Sequence, residues 1–154
     1  MKVKELFEED YIISDKDVDK NGIFRINYSQ HPINGHFSCI RAYGLKSLKN
    51  APLIVNGNVV LSSCKKLTSL EGIGQESFQI VKGYLDISPS IQSNILGILK
   101  IRELSRVTIF LSNHASRRLN VAIEIINKHL KSGRNINKCK SELEDAGLEE
   151  FAQF

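Results

Sequence analysis

The sequence lacks the features that mark several large classes of protein. No apolar run approaches the roughly 18 residues that a membrane-spanning helix needs. The first ten residues turn acidic without the apolar core of a signal peptide. The three cysteines, Cys39, Cys64 and Cys139, form no C-x-x-C pair, and no histidine lies at zinc-ligand spacing from them. We therefore expect a protein of the reducing cytoplasm, with free thiols, no metal centre and no membrane contact.

The common catalytic signatures are also missing. There is no P-loop, no G-x-G-x-x-G and no G-x-S-x-G motif. Two short His-x-Ser motifs, His36-Phe37-Ser38 and His114-Ala115-Ser116, leave one catalytic alternative open. In a phosphoesterase of this kind, His36 and His114 would act as general acid and base, which requires both imidazoles to converge on one phosphate. The leading prediction is that the chain is not an enzyme and uses no cofactor.

Charge is unevenly distributed along the 154 residues, whose net charge is +4. Residues 5–19 hold seven acids and one base, whereas residues 100–140 hold ten bases and two acids, or +10 − 2 = +8. A basic segment of this kind suggests contact with nucleic-acid phosphates, although Phe110 is its only aromatic residue for base stacking. The other interpretations of this basic segment are a solvated helix surface and a binding surface for an acidic protein partner. The bases that would contact nucleic acid are Arg117, Arg118, Lys128, Lys131, Arg134, Lys138 and Lys140.

One acidic stretch also resembles a cation-binding loop. Asp17-x-Asp19-x-Asn21-Gly22 matches the first half of an EF-hand. That loop needs a bidentate carboxylate eleven residues after its first ligand, and this position holds Tyr28. An acidic surface hairpin, with Phe24, Ile26 and Tyr28 alternating as a strand, is the competing interpretation; whether the loop binds a cation stays open.

The centre of the chain contains a repeat. Ile33-Asn34-Gly35 and the Leu45-Lys46-Ser47-Leu48 that follows return 22 residues later as Val55-Asn56-Gly57 and Leu67-Thr68-Ser69-Leu70. A third copy starts at Val81-Lys82-Gly83, four residues late, and residues 104–111 are a candidate fourth. A period of this length is typical of leucine-rich and similar repeats.

This pattern predicts one α+β domain built on a short leucine-rich-repeat-like β solenoid. We expect three to four degenerate repeats of about 22 residues over 33–111, an N-terminal cap and hairpin over 1–32, and a helical cap over 112–154. The apolar periodicity of Leu119, Ala122, Ile123, Ile126 and Leu130 supports a helix within the last segment.

The repeat words also resemble a known family. Leu48-Lys49-Asn50-Ala51-Pro52 and Lys66-Leu67-Thr68-Ser69-Leu70-Glu71-Gly72 are similar to the units of leucine-rich-repeat-like proteins of tailed phages, and residues 122–130 and 142–152 resemble their helical C-terminal region. The resemblance implies a phage protein that binds a host or phage protein, and it implies no catalytic residues.

A narrower hypothesis is antagonism of a host defence or regulatory factor, with nucleic acid as an alternative partner. The strand positions that differ between copies are the predicted protein-binding residues: His36, Ser38, Asn58, Val60, Tyr84 and Asp86.

Overall fold

The computed structural model describes residues 10–109 and 116–153, which form an α+β fold. Its main sheet contains β1 (Tyr11–Ser14), β2 (Phe37–Arg41), β4 (Val59–Val60), β6 (Leu85–Ile87) and β7 (Val107–Ile109), and a second sheet contains β3 (Ile54–Val55) and β5 (Ile80–Val81). Two α-helices follow, α1 (Arg117–Lys131) and α2 (Ile136–Asp145). The sequence also predicts a helix over 4–10 and a strand over 107–111, of which residues 4–9, 110 and 111 lie outside the described residues.

The main sheet is parallel throughout, and its strands follow chain order across it. Phe37 pairs with Val59, Val59 with Leu85, and Leu85 with Val107. The steps along the chain are 59 − 37 = 22, 85 − 59 = 26 and 107 − 85 = 22, the same spacings that separate the partners of the side-chain hydrogen bonds between these strands. The repeated positions of the sequence therefore do lie side by side in the sheet.

The prediction of a short leucine-rich-repeat-like β solenoid is nevertheless wrong; only the broader α+β class is compatible with the structure. A solenoid stacks similar units, each of which contacts only its neighbours. Here, the step from strand to strand alternates between a longer one of 26 and a shorter one of 22. Among the described links of the main sheet, only two carry a strand of the second sheet. Links of unequal length and structure cannot stack as identical units. The described fold is a five-stranded parallel sheet with two helices at one edge.

The core lies on one side of the main sheet. Phe37, Val59, Leu85 and Val107 point into it and are almost fully buried. Leucines from the links between strands, including Leu45, close the core opposite the sheet. At its N-terminal end, the rings of Phe24, Tyr28 and Phe37 pack edge to face.

The N-terminal segment contains a turn but not the expected strand. Gly22 has φ +79°, and Val18 bridges to Phe24 in antiparallel fashion, as the Asn21-Gly22 pair predicts. The alternation of Phe24, Ile26 and Tyr28 does not form a strand, because Tyr28 begins a 3-10 turn (Tyr28–Gln30).

Two glycines are required by close approach of the backbone rather than by φ. A Cβ on Gly57 would lie 2.5 Å from His36 Nδ1, and one on Gly83 would lie 1.9 Å from Asn58 Oδ1. Both distances are far below van der Waals contact, so each glycine makes room for a side chain of the preceding strand.

Helix α1 closes the β7 edge of the main sheet. Ser116 caps its N-terminus by accepting the Leu119 N–H. The Asn127 side chain accepts the Val107 N–H at 2.8 Å and donates to the Val107 carbonyl at 2.9 Å, so it replaces a neighbouring strand. Neither described helix is both long and apolar enough to cross a membrane.

Candidate protein-binding face

The side of the main sheet opposite the core is called the outer face. Strand residues alternate between the two sides of a sheet, so the neighbours of the buried strand residues point outward. The outer face has two rows, a first row of His36, Asn58, Tyr84 and Arg106 and a second row of Ile12, Ser38, Val60, Asp86 and Thr108. The structure therefore brings all six predicted protein-binding residues together on three adjacent strands.

The first row is held by hydrogen bonds from backbone to side chain. Asp10 Oδ1 accepts the His36 N–H at 2.9 Å, His36 Nδ1 accepts the Asn58 N–H at 2.8 Å, and Asn58 Oδ1 accepts the Tyr84 N–H at 3.0 Å. Each side chain thus reaches the backbone of the next strand. Because His36 Nδ1 is an acceptor, the neutral ring carries its proton on Nε2. The row ends at Arg106, whose guanidinium carbon lies 5.8 Å from the centre of the Tyr84 ring.

The second row has Asp86 near its centre. The Thr108 hydroxyl donates to Asp86 Oδ1 at 2.9 Å, and the Ser62 hydroxyl also hydrogen-bonds this carboxyl. Burial raises the pKa of the Asp86 carboxyl, while the two hydroxyls lower it. No cationic side chain of the described residues pairs with Asp86. The Asp86 carboxylate is therefore partly desolvated and has no cationic partner among the described residues.

The β1 and β2 end of the outer face is apolar. Ile12 is 62% exposed and Ile40 is 39% exposed, and both point to the outer side. Val60, on the next strand, is half-buried. Tyr43, just beyond β2, is also exposed. The outer face thus changes from apolar at β1 to polar and charged at β6 and β7.

Several outer-face residues are absent from the sequence-based set. They are Ile12 on the edge strand β1, Arg106 and Thr108 directly before and on the edge strand β7, and Ser62, which hydrogen-bonds Asp86. The 22-residue offset was sufficient to find two of them, because Arg106 follows Tyr84 and Thr108 follows Asp86 at that distance. Ile12 pairs with Ser38 across the longer step of 26 residues. The sequence repeat begins only at Ile33, so it did not reveal this pairing.

The basic residues proposed for nucleic-acid binding are only partly free. Arg118 forms an ion pair with Glu150 at 2.6 Å, and Lys128 forms one with Glu142 at 2.9 Å. Arg134 donates to the carbonyls of Ile101 and Leu104. These three bases therefore hold the helices together or onto the preceding segment. The exposed remainder of the set is Arg117, Lys131, Lys138 and Lys140.

The ion pairs of the helices also affect the acids in them. Hydrogen bonds from Lys128 and then His129 lower the pKa of the Glu142 carboxyl. The Arg118 guanidinium similarly lowers the pKa of Glu150. His129 is almost fully buried between α1 and α2, with Nε2 3.0 Å from Glu142 Oε1.

The phosphoesterase alternative has only one of its histidines in the described chain. His114 lies outside the described residues. His36 Nδ1 is engaged by the Asn58 backbone, and the Ser116 hydroxyl caps α1. The two His-x-Ser motifs therefore form no shared site within the part of the chain that the structure describes.

The acidic loop uses its carboxylates on its own backbone. Asp17 Oδ2 accepts the Ser14 N–H, and Asp19 Oδ1 accepts the N–H groups of Asn21 and Ile23. In residues 10–109 and 116–153, no group of three or more His, Cys, Asp or Glu side chains is placed to hold a metal ion. The geometry favours the hairpin interpretation of this loop.

The three cysteines are free, as the sequence predicts, and all three are buried. The Cys64 thiol donates to the Cys39 carbonyl at 3.5 Å. Burial raises the pKa of the Cys39 thiol well above its ordinary value and that of Cys139 to about 11. These thiols are core residues rather than nucleophiles.

Comparison with known proteins gives no relative. No protein-family model, no curated protein and no solved structure matches the chain. The contacts and charges of the outer face are what remains to indicate a function.

Proposed function

We propose that the chain is a non-catalytic protein-interaction module that binds a host or phage protein through the outer face. The observation that carries this proposal is the accessibility of one side of an all-parallel sheet. Parallel sheets are usually covered on both sides, yet His36 and Arg106 are exposed here and the second row between β2 and β7 is only partly buried. An accessible surface of this kind is suited to a partner.

The composition of the outer face supports a protein partner. Protein interfaces combine an apolar centre with polar groups at fixed positions. Ile12, Ile40 and Val60 supply apolar area, and the hydrogen-bonded first row supplies polar groups whose positions are set before binding. Groups held in place in this way lose little conformational entropy on association.

The identity of the partner follows only from the resemblance of the repeat words to proteins of tailed phages. On that basis, the partner is a protein of the infected cell, and the narrower proposal is antagonism of a host defence or regulatory factor. The compartment in this proposal is the host cytoplasm.

Two matched variants test the proposal. Ile40 on the outer face and Val121 on α1 are both 39% exposed, so Ile40→Asp and Val121→Asp introduce the same charge at equal exposure. The partner is first captured from infected cells with the wild-type chain and then purified for calorimetric titration. We expect Ile40→Asp to weaken binding at least about tenfold, because it buries an unpaired charge in the interface, and Val121→Asp to bind as the wild type does. Equal affinities for the two variants would contradict the proposal, and so would nucleotide or phosphodiester turnover that a point mutation abolishes.

The nucleic-acid alternative retains four exposed bases: Arg117, Lys131, Lys138 and Lys140. Phosphate contacts make affinity fall steeply with salt, by roughly one power of salt concentration for each phosphate neutralised. Binding of a labelled duplex at several salt concentrations tests this alternative. Absence of binding, or binding without that salt dependence, excludes it.

A further inference from the structure

Asp86 is the only acidic residue of the second row of the outer face, and its surroundings are unusual for a surface carboxylate. It lies between Val60 on β4 and Thr108 on β7, in direct register with both. Its hydrogen bonds come from the neutral hydroxyls of Thr108 and Ser62. A carboxylate that is partly removed from water loses solvation that neutral donors restore only in part.

The nearest cation of the outer face does not supply the missing charge. Arg106 lies against the Tyr84 ring at 5.8 Å and forms no ion pair with Asp86. The Thr108 and Ser62 hydroxyls fix the carboxyl group, which is only half-buried on the outer face. A charge-assisted hydrogen bond from outside is about twice as strong as a neutral one.

We propose that the partner inserts a lysine or arginine side chain over the second row and pairs its cation with Asp86, its apolar stem lying against Val60. This inference rests on the proposed function and specifies the chemistry of the partner. Val60 provides apolar contact for the aliphatic stem of such a side chain, and the exposed Ile12 and Ile40 lie beyond it on the same face. The partner segment therefore carries a basic residue next to apolar ones.

Two other occupants fit the site less well. A divalent cation prefers several carboxylate or carbonyl ligands, and Asp86 belongs to no group of three or more acidic, histidine or cysteine side chains within the described ranges. A phosphate or an acidic peptide would meet the Asp86 charge at close range, which opposes association.

Small probes test the cation site without the unidentified partner. The full chain, labelled with ¹⁵N, is titrated with n-butylguanidinium, and n-butylurea serves as the neutral probe of the same shape. We expect the guanidinium probe to shift the backbone amide signals of Val60, Asp86 and Thr108 in a saturable manner. The urea probe should leave them unchanged at the same concentration.

Variants of matched charge assign the effect to one carboxylate. Asp86→Asn should weaken binding of the guanidinium probe at least about tenfold, since it removes a charge-assisted hydrogen bond. Asp145→Asn removes an exposed carboxylate on α2 and should bind as the wild type does. Asp86→Glu keeps the charge and should retain part of the binding. Dispersed amide spectra of each variant show that it is folded.

The outcomes separate this inference from the proposed function. Equal shifts with the urea probe, unaltered binding to Asp86→Asn, or shifts confined to the helices would overturn the cation site. If the site fails while Ile40→Asp still loses the protein partner, the outer face binds a partner of other chemistry. If the guanidinium probe binds at Asp86 but Ile40→Asp keeps the partner, the cation site is present and the proposed binding function of the outer face is wrong.

Discussion

The two sides of the main sheet are formed by the same strands but differ in the residue types that they contain. On the inner side, Phe37, Val59, Leu85 and Val107 are all apolar and almost fully buried. On the outer side, Ser38, Val60, Asp86 and Thr108 occupy the adjacent positions and include hydroxyl, apolar and acidic side chains. Packing restricts the inner residues to one type, whereas the outer residues are free to differ. The repeat therefore reports the core, and the variation between copies reports the surface available for recognition.

The largest expected effect separates the two sides directly. Leu85→Ala leaves a cavity in a fully buried site and should lower the free energy of unfolding by about 2–5 kcal/mol. Val60→Ala, one strand away on the outer side, should lower it by less than about 1 kcal/mol, because a half-buried side chain loses less contact. Urea denaturation of both variants measures the difference. Similar losses for the two would show that the outer side is also packed against something.

A second prediction sharpens the comparison at the glycine before β6. A Cβ on Gly83 would lie 1.9 Å from Asn58 Oδ1, so Gly83→Ala should cost about 1–3 kcal/mol through overpacking. Asn58→Ala removes the opposing side chain and should make the alanine at 83 less costly. A double-mutant cycle in urea measures this coupling. Strict additivity of the two substitutions contradicts the proposed steric origin.

A third prediction concerns the edge that α1 closes. Asn127→Ala leaves the Val107 N–H and carbonyl without their partner and should cost about 1–3 kcal/mol. Asn120, half-buried on the same helix, makes no comparable contact with the described sheet and provides the control as Asn120→Ala. Thermal unfolding of the two variants, together with hydrogen exchange at the Val107 amide, tests this role. Unchanged exchange at Val107 in Asn127→Ala argues against it.

The smallest effect has the opposite sign. Because burial raises the pKa of Asp86, the ionised carboxylate is disfavoured in the folded state. Asp86→Asn should therefore raise the melting temperature at pH 7, by about 1–2 °C for a chain of this size. The advantage should shrink as pH falls from the raised folded-state pKa of Asp86 toward the ordinary Asp pKa of about 3.9, and it should be absent below that value, where wild-type Asp86 is protonated in both states. Calorimetry at pH 7 and pH 3 checks the sign, with Asp145→Asn as the control.

A stabilising substitution at Asp86 would distinguish a recognition residue from a structural one. Residues kept for binding often reduce the stability of the unbound protein. If Asp86→Asn instead lowers the melting temperature at pH 7, the hydrogen bonds of Asp86 to Thr108 and Ser62 stabilise the fold. Stability would then determine the residue type at this outer position, as it does on the inner side.

The sequence was sufficient to predict which repeated positions are neighbours and to find six of the residues on the outer face. The 22-residue offset paired Phe37 with Val59, and the differing positions His36, Asn58 and Tyr84 proved to be neighbours. The apolar periodicity between Leu119 and Leu130 also correctly predicted a helix, which the structure shows as α1. These features depend on period and alternation, which adjacent residues in the chain already determine.

The global architecture and the ionic contacts were not predictable in the same way. The longer steps between strands and the packing of helices at one edge depend on contacts between distant segments, so the solenoid prediction failed. Arg118 and Arg134 were assigned to nucleic acid because their partners, Glu150 and the Leu104 carbonyl, lie 32 and 30 residues away in the chain. A sequence pattern does not show which of many acids or carbonyls a long basic side chain will reach.

The order of the strands also determines how the molecule responds to mechanical force. Because β1, β2, β4, β6 and β7 cross the sheet in chain order, a force that separates its two edges acts along the hydrogen bonds between strands. Those bonds then open one strand at a time, rather than all at once as they do when strands slide past each other. Peeling that begins at β1 breaks the β1–β2 hydrogen bonds first, whereas peeling that begins at β7 must also break the two Asn127 hydrogen bonds.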